Sequence, residues 1–199
     1  QNYILQLHKI LYSHRNNPMA GRTKSVQNYI SATYPDGHVE TLFTPLAPYE
    51  TPEALDRICE EYNRVIGNME VEPLIVIPVF IHDFLCIHPF LDGNGRMSRL
   101  LTTLLLYRAG DEVGKYISLE AKIAKNKDAY YIALEDSQAG WHEQRDDPTA
   151  FVKYLLSTII AAYRDLDDRI QIISDTSLGT VKNAIDSRIG KFTKKEIVA

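Results

Sequence analysis

Leu74-Ile75-Val76-Ile77-Pro78-Val79-Phe80-Ile81-His82-Asp83-Phe84-Leu85-Cys86-Ile87 is apolar nearly all round, interrupted only by Pro78 and the His82-Asp83 pair. A helix of that character has no polar face to turn to water, so it is expected at the centre of a domain. A polar, glycine-rich turn, His88 to Arg96, follows directly. A second strongly apolar helix comes next, with Met97, Leu100, Leu101, Leu104, Leu105 and Leu106, ending near Gly110. Two buried helices joined by a polar connection set the expectation of a mainly helical fold.

Working outward, Tyr3, Ile4, Leu7, Ile10 and Leu11 have the spacing of an amphipathic helix, broken by Asn16-Asn17-Pro18. Val26 to Tyr34 and His38 to Phe43 are rich in β-branched and aromatic residues. Pro35-Asp36-Gly37 between them is a turn signal, so the pair reads as a hairpin. Thr51-Pro52-Glu53 marks a helix start with proline in the first turn, followed by the stripe Leu55, Ile58, Cys59, Tyr62, Val65 and Ile66. Further helices are expected around Glu120 to Ser137 and Thr149 to Ile173. From Ser174 the pattern weakens, and residues 174–199 read as a linker and the start of a truncated helical appendage to a domain at 1–173. Gln1 falls inside a helical pattern, so an upstream segment is expected.

The 199 residues suit one ordinary domain and part of a second, and 45 % apolar against 24 % charged residues allows a real core. A net charge of -4 gives no general attraction to nucleic acid or anionic membranes, so any phosphate binding must come from a few placed groups. Cys59 and Cys86 match neither a disulfide framework nor a metal spacing; Cys86 is expected to pack as a small hydrophobe. No apolar run reaches the ~18 residues of a membrane span, and no signal peptide is visible. A cytoplasmic location is the expectation.

His88-Pro89-Phe90-Leu91-Asp92-Gly93-Asn94-Gly95-Arg96-Met97-Ser98-Arg99 brings a base, a carboxylate, two glycines and two arginines into one connection. Each part suits phosphate chemistry. Gly93 and Gly95 let the backbone turn so that successive N–H groups form an anion nest, and the next helix adds its positive N-terminus. Arg96 and Arg99, three apart on one helix face, can clamp different phosphates. Asp92 offers an oxygen ligand for Mg²⁺, and a neutral His88 can take a proton from an attacking hydroxyl near pH 7. The set describes phosphoryl or nucleotidyl transfer by positioning and electrostatics.

The pattern His-Pro-Phe-x-Asp-Gly-Asn-Gly-Arg-x-x-Arg resembles the signature of Fic domains at every defining position. Weaker similarity runs from Leu5-x-Leu7-His8 through Gly21-Arg22 to the helix ending near Arg169. The resemblance implies a Fic-type helical bundle with one β-hairpin flap. It also implies transfer of AMP from ATP to a Ser, Thr or Tyr hydroxyl of a target protein, with the reverse removal open to a full-length protein. It makes His88 the base and Asp92 the Mg²⁺ ligand between the α- and β-phosphates. Gly93, Asn94 and Gly95 become the anion hole, with the Asn94 side chain on the α-phosphate. Arg96 then meets the β-phosphate, Arg99 the γ-phosphate, and Phe90 is a buried anchor. The hairpin at 26–43 would pair with an extended segment of the target, and Asn126, Tyr130, Tyr131 and Leu134 resemble the lining of the nucleoside pocket. Doc-type phosphotransferring relatives have Ala-Asn-Lys where this chain has Gly93-Asn94-Gly95, which favours AMP transfer. The inhibitory Ser/Thr-x-x-x-Glu-Gly/Asn helix of many relatives, whose glutamate pairs with the arginine at the Arg99 position, is not found in these residues.

A different class of function stays open. Phe192 to Ala199 resembles the opening of a winged-helix module, which would make the chain part of a nucleotide-sensing transcriptional regulator, with DNA bound only through a missing C-terminal module. His82-Asp83 resembles the dyad of metal-dependent HD phosphohydrolases, but His8, His14, His38 and His142 supply no second dyad. His82 is therefore expected to be a hydrogen-bonded core residue, and Trp141 a packing one.

Overall fold

A computed structural model describes residues 1–14 and 17–175. Its elements run α1 (Asn2–Leu11), β1 (Ile30–Thr33), β2 (Val39–Phe43), α2 (Thr51–Gly67), α3 (Pro73–Ile87), α4 (Asn94–Arg108), α5 (Leu119–Lys125), α6 (Lys127–Gln138) and α7 (Thr149–Asp175). Short 3₁₀ turns lie at Val113–Lys115 and Trp141–Glu143. The fold is mainly helical with one antiparallel hairpin, as the sequence predicts. The expected appendage lies, from residue 176, outside the described residues.

Helix α3 is the hub, packed against α2, α4, α6 and α7. Its apolar circumference explains this. Ile77, Phe80, Ile81, Phe84, Leu85 and Ile87 are all buried, whereas the amphipathic α2 buries only one stripe. Pro78 lies inside α3 and is itself buried; it has no N–H for the carbonyl four residues back, a cost the surrounding packing absorbs. Cys86 is 1 % exposed and packs as expected. Around α3 the core gathers Leu101, Leu105 and Leu106 of α4, Tyr130 and Leu134 of α6, and Phe151, Leu155 and Ile159 of α7. No helix among the described residues is long and apolar enough to cross a membrane.

Three boundaries differ from the sequence reading. The stretch expected as one helix near Glu120 to Ser137 is two, α5 and α6, because Asn126 leaves the helical region at φ -123°, ψ 49°. Ser118 caps α5 by accepting the Ala121 N–H at 3.1 Å. The first hairpin strand starts at Ile30 rather than Val26: the Gln27 amide donates to Pro45 O and the Asn28 amide to Phe90 O, which draws 26–29 away from the ladder. And α4 begins at Asn94, inside the segment expected as a turn, since Gly93 takes the left-handed conformation (φ 89°) and serves as N-cap.

The hairpin turn is closed by Tyr34 N–H to His38 O (2.9 Å), Gly37 N–H to Tyr34 O (2.9 Å) and His38 N–H to Asp36 Oδ1 (2.9 Å), with Gly37 at φ 85°. Pairing runs Thr33 to Val39 through Ile30 to Phe43, with an irregularity between Ile30 and Ser31. Phe43 alone of β2 is buried, and it anchors the hairpin by stacking on His142 at 5.5 Å.

Phe151 joins α7 to the hub, 1 % exposed and edge-on to Tyr130 at 5.8 Å. Phe151→Ala should destabilise the fold by about 3–5 kcal/mol, read as a fall in urea midpoint at unchanged m-value; a loss under about 1 kcal/mol would show that α7 does not complete this core.

Candidate active site

The chain leaves α3 at His88 in the left-handed region (φ 50°, ψ 62°), which is uncommon for a residue with a Cβ. Pro89 disfavours a helical residue before it, so the helix must end there. The loop then dips into the core. Phe90 is 0 % exposed and stacks face to face on His8 at 3.7 Å, 1° between planes.

A buried loop must satisfy its backbone, and here residues of α4 and of the segment between α1 and β1 do so. The Asn94 amide donates to Phe90 O (2.6 Å) and its carbonyl accepts Phe90 N–H (2.9 Å). Asn28 Nδ2 donates to Phe90 O (3.0 Å) and His88 O (3.3 Å). Lys24 donates its N–H to Pro89 O (2.8 Å) and its ammonium to Ile87 O (3.1 Å) and Asn28 Oδ1 (2.8 Å). The Asn94 side chain is buried, and with both ends used by Phe90 it holds the loop.

His88 Nδ1 lies 3.2 Å from Leu85 O, so Nδ1–H donates there and Nε2 keeps its lone pair. Burial pushes the imidazole down to about 4; the Leu85 bond opposes this, and the Lys24 charge adds to it. His88 is therefore neutral at pH 7 with one free basic nitrogen. Lys24, 3 % exposed, is itself lowered to about 8 by burial.

Asp92 lies at the opposite pole: its side chain is 68 % exposed and ionised. Its carboxyl is held below the ordinary range first by the Tyr12 hydroxyl, then by Gly93 N–H at 2.7 Å and by Arg96. The Arg96 guanidinium reaches Asp92 Oδ2 at 2.9 Å, donates to the Tyr12 hydroxyl, and lies 4.9 Å over the Tyr12 ring. His8 accepts Gly21 N–H at Nδ1 (2.9 Å), so its Nε2–H donates to Asp92 O (3.1 Å). Helix α1 thus grips the loop at Phe90 and Asp92.

The two glycines do different work. Only Gly93 needs positive φ, and a Cβ there would come 2.9 Å from the Tyr12 hydroxyl; Gly95 is an ordinary first-turn helical residue. The expected nest is therefore the open N-terminus of α4, where the N–H groups of Asn94, Gly95 and Arg96 have no intrahelical acceptor. Arg96 leans to α1, while Arg99 turns to α5 and pairs with Glu120 Oε1 at 3.0 Å. The two arginines flank the helix start with separate partners, and that of Arg99 is a glutamate. Tyr130 is buried beside Phe151 and Tyr154, its hydroxyl near Ser98 of α4, and burial lifts it to about 12. Tyr131 is half exposed, with the Lys127 ammonium 5.4 Å over its ring.

The structure brings together His88, Asp92, Gly93, Asn94, Gly95, Arg96 and Arg99, and adds Tyr12, Lys24, Asn28 and Glu120. Sequence reasoning missed these four. Tyr12 lies 80 residues from Asp92 along the chain, and no periodicity reports a pairing of that kind.

The Fic/DOC family model matches residues 1–106, through the whole motif and α4 up to Leu106. A Fido domain-containing protein of Dictyostelium discoideum is 29 % identical over 111 residues, 54 % of this chain and 73 % of that one. Protein adenylyltransferase fic-1 of Caenorhabditis elegans is 24 % identical over 193 residues, 94 % of this chain but 34 % of its own length, so the chain spans about a third of that relative. Among solved structures, a Fic domain containing signaling protein from Bacteroides thetaiotaomicron aligns at TM-score 0.61 and 26 % identity, over 81 % of this chain and 59 % of that one. A Fic family protein from Desulfovibrio desulfuricans shares the fold at TM-score 0.64 and 23 % identity, over 99 % of this chain and 55 % of that one. With its motif intact, in the geometry described and within the matched segment, the chain belongs to the Fic/DOC family.

Proposed function

We propose that this chain transfers AMP from ATP to a hydroxyl side chain of a target protein. The observation that carries the reading is His88: half-buried, neutral, committed at Nδ1, and next to a helix N-terminus flanked by two arginines. The relatives named protein adenylyltransferases agree with it.

In this reading the ATP phosphates lie at the start of α4, held by the Asn94, Gly95 and Arg96 N–H groups, with Arg96 and Arg99 as charge-assisted donors. Each arginine exchanges a carboxylate for a phosphate. Both present pairs are partly exposed, and such pairs contribute only about 0–1 kcal/mol, so the exchange costs little. The target hydroxyl attacks the α-phosphorus and gives its proton to His88 Nε2. The bond from the α-phosphorus to the bridging oxygen breaks, and pyrophosphate leaves. Asp92 fits Mg²⁺, being ionised, exposed and a hard oxygen donor, and Mg²⁺ sites need only one or two carboxylates besides phosphates. When bound, Mg²⁺ would neutralise phosphate charge. The target docks on the hairpin: a two-stranded sheet leaves outer edges open, and Val39 and Leu42 of β2 are exposed for a third strand to cover.

His88→Ala should cut transfer of label from ATP by about 10²–10⁴-fold while leaving ATP affinity nearly unchanged; near-wild-type labelling would refute the assignment. Asp92→Ala should abolish the Mg²⁺ contribution to ATP binding in calorimetry, and an unchanged contribution would remove Asp92 from that role.

The pH dependence follows from burial. Protonation inactivates the base, and since the imidazole is lowered from 6.5 to about 4, activity should persist as pH falls through 6. An unshifted base would lose about tenfold one unit below its ordinary value, so that loss at pH 5.5 in initial rates would contradict the half-buried, neutral His88.

Tyr12→Phe removes the largest force lowering Asp92, whose carboxyl should climb toward its ordinary 3.8. Carboxyl ¹³C titration by NMR reads this directly; an unmoved Asp92 would deny the Tyr12 contact its role.

A further inference from the structure

His82 is a fully buried residue with an orphaned atom. Its Nδ1 has no hydrogen-bond partner, although the side chain is 0 % exposed. An unpaired buried polar atom is costly and calls for an explanation. Nδ1 faces two carboxylates, Asp83 Oδ1 at 3.7 Å and Asp146 Oδ2 at 3.8 Å, both too far for hydrogen bonds. On the other side of the ring, Nε2 lies 3.6 Å from Cys86 Sγ. Burial pushes the Cys86 thiol up, so it stays protonated. A tautomer with Nε2–H toward that sulfur leaves the Nδ1 lone pair aimed between the carboxylates.

The carboxylates have no cation of their own. Among the described residues neither Asp83 nor Asp146 is ion-paired with a lysine or arginine, and their side chains are only 31 % and 19 % exposed. Two part-buried negative charges this close repel unless something positive lies between them. Asp83 is oriented from behind by the Trp141 indole N–H at 2.9 Å, the support that metal-binding carboxylates commonly receive. One ligand atom from each of His82, Asp83 and Asp146 falls within 4.8 Å of the other two. A cation with bonds of about 2.0–2.2 Å to nitrogen and oxygen would span them after a small contraction.

We propose that His82, Asp83 and Asp146 form a divalent transition-metal site, distinct from the motif loop and independent of nucleotide. One imidazole and two carboxylates suit Zn²⁺ or Mn²⁺ better than the softer, thiolate-preferring ions, and water would complete the shell. Asp83 and Asp146 also line a groove of about 1160 Å³ beside α2 and α3, which gives the ion an entry path. The site would staple the segment before α7 to α3, six residues ahead of His88. It also adjoins the hairpin base, since Trp141 meets Phe43 at 6.5 Å and the His142 Nε2–H donates to Thr44 O at 2.8 Å. This differs from the HD dyad weighed above: two of the ligands share α3, and the third comes from a loop.

Trp141 is the sole tryptophan and touches one ligand, so it is a built-in reporter. The full chain, untagged and nucleotide-free, is stripped with chelator and titrated with Zn²⁺ or Mn²⁺. Indole fluorescence follows binding, and elemental analysis after desalting gives the stoichiometry. The expected result is one ion per chain and a saturating fluorescence change, weakened at least about tenfold by Asp146→Asn and by Asp83→Asn. Asp92→Ala should leave binding intact, which separates this site from the motif loop. Both asparagine variants keep side-chain volume on the groove side, and their circular dichroism should match the parent. No stoichiometric ion, binding that survives both asparagine substitutions, or binding lost with Asp92→Ala would each overturn the proposal.

Discussion

A polar loop can lie on an apolar core only if something else satisfies its backbone, and that requirement shapes this molecule around Phe90. The ring is fully buried against His8 and Phe84, which draws residues 88–92 down to the ends of α3 and α4. The carbonyls of Ile87, His88, Pro89 and Phe90 and the N–H of Phe90 then need partners, and Lys24, Asn28 and Asn94 supply them. Each such bond contributes only about 0.5–1.5 kcal/mol net, but an unpaired group in the same place would cost about 1–3 kcal/mol. The segment after α1, otherwise an irregular connector, is therefore as much a part of the site as the motif itself.

The same burial sorts the charges. His88 lies deep enough to lose its proton, and the Lys24 ammonium nearby, itself lowered to about 8, helps keep it neutral. A few residues on, Asp92 remains an anion in the open, neutralised by Arg96 and capped by Tyr12. Arg99 is matched by Glu120 in the same manner. With both arginines already oriented by carboxylates, an arriving triphosphate exchanges one anion for another and does not have to order two long side chains from solvent. That reduces the conformational entropy lost on binding.

Much of this was legible in the residues. The unbroken apolar run at 74–87 identified the central helix, and proline in the first turn marked the start of α2, because both signals are local. The start of α4 was misread for an instructive reason. Gly-Asn-Gly looks like a turn, yet only Gly93 needs glycine's freedom, while Asn94 and Gly95 already belong to the helix. The break at Asn126 carried no proline or glycine to announce it. Lys24, Tyr12 and Glu120 stayed out of sight since their partners lie 63, 80 and 21 residues away. A sequence pattern reports which face of an element is buried, and it says nothing about which distant side chain meets that face.

Those distant contacts also account for how the hairpin is held relative to His88. Phe43, the one buried residue of β2, stacks on His142 and meets Trp141 edge-on. Trp141 is bonded to Asp83 of α3, and that helix ends five residues later at His88. The path from the open strand edge to the free imidazole nitrogen thus runs through packed rings, one hydrogen bond and a turn and a half of the central helix α3. Such a connection is no evidence of signalling, which would need an element with two discrete arrangements. It sets position. A strand added to the hairpin edge presents its side chains at a height fixed by the sheet, and in a reaction governed by orientation, misplacement of about 1 Å can cost 10²-fold. Rigid seating of the hairpin on α3 is therefore what the proposed chemistry requires of this fold.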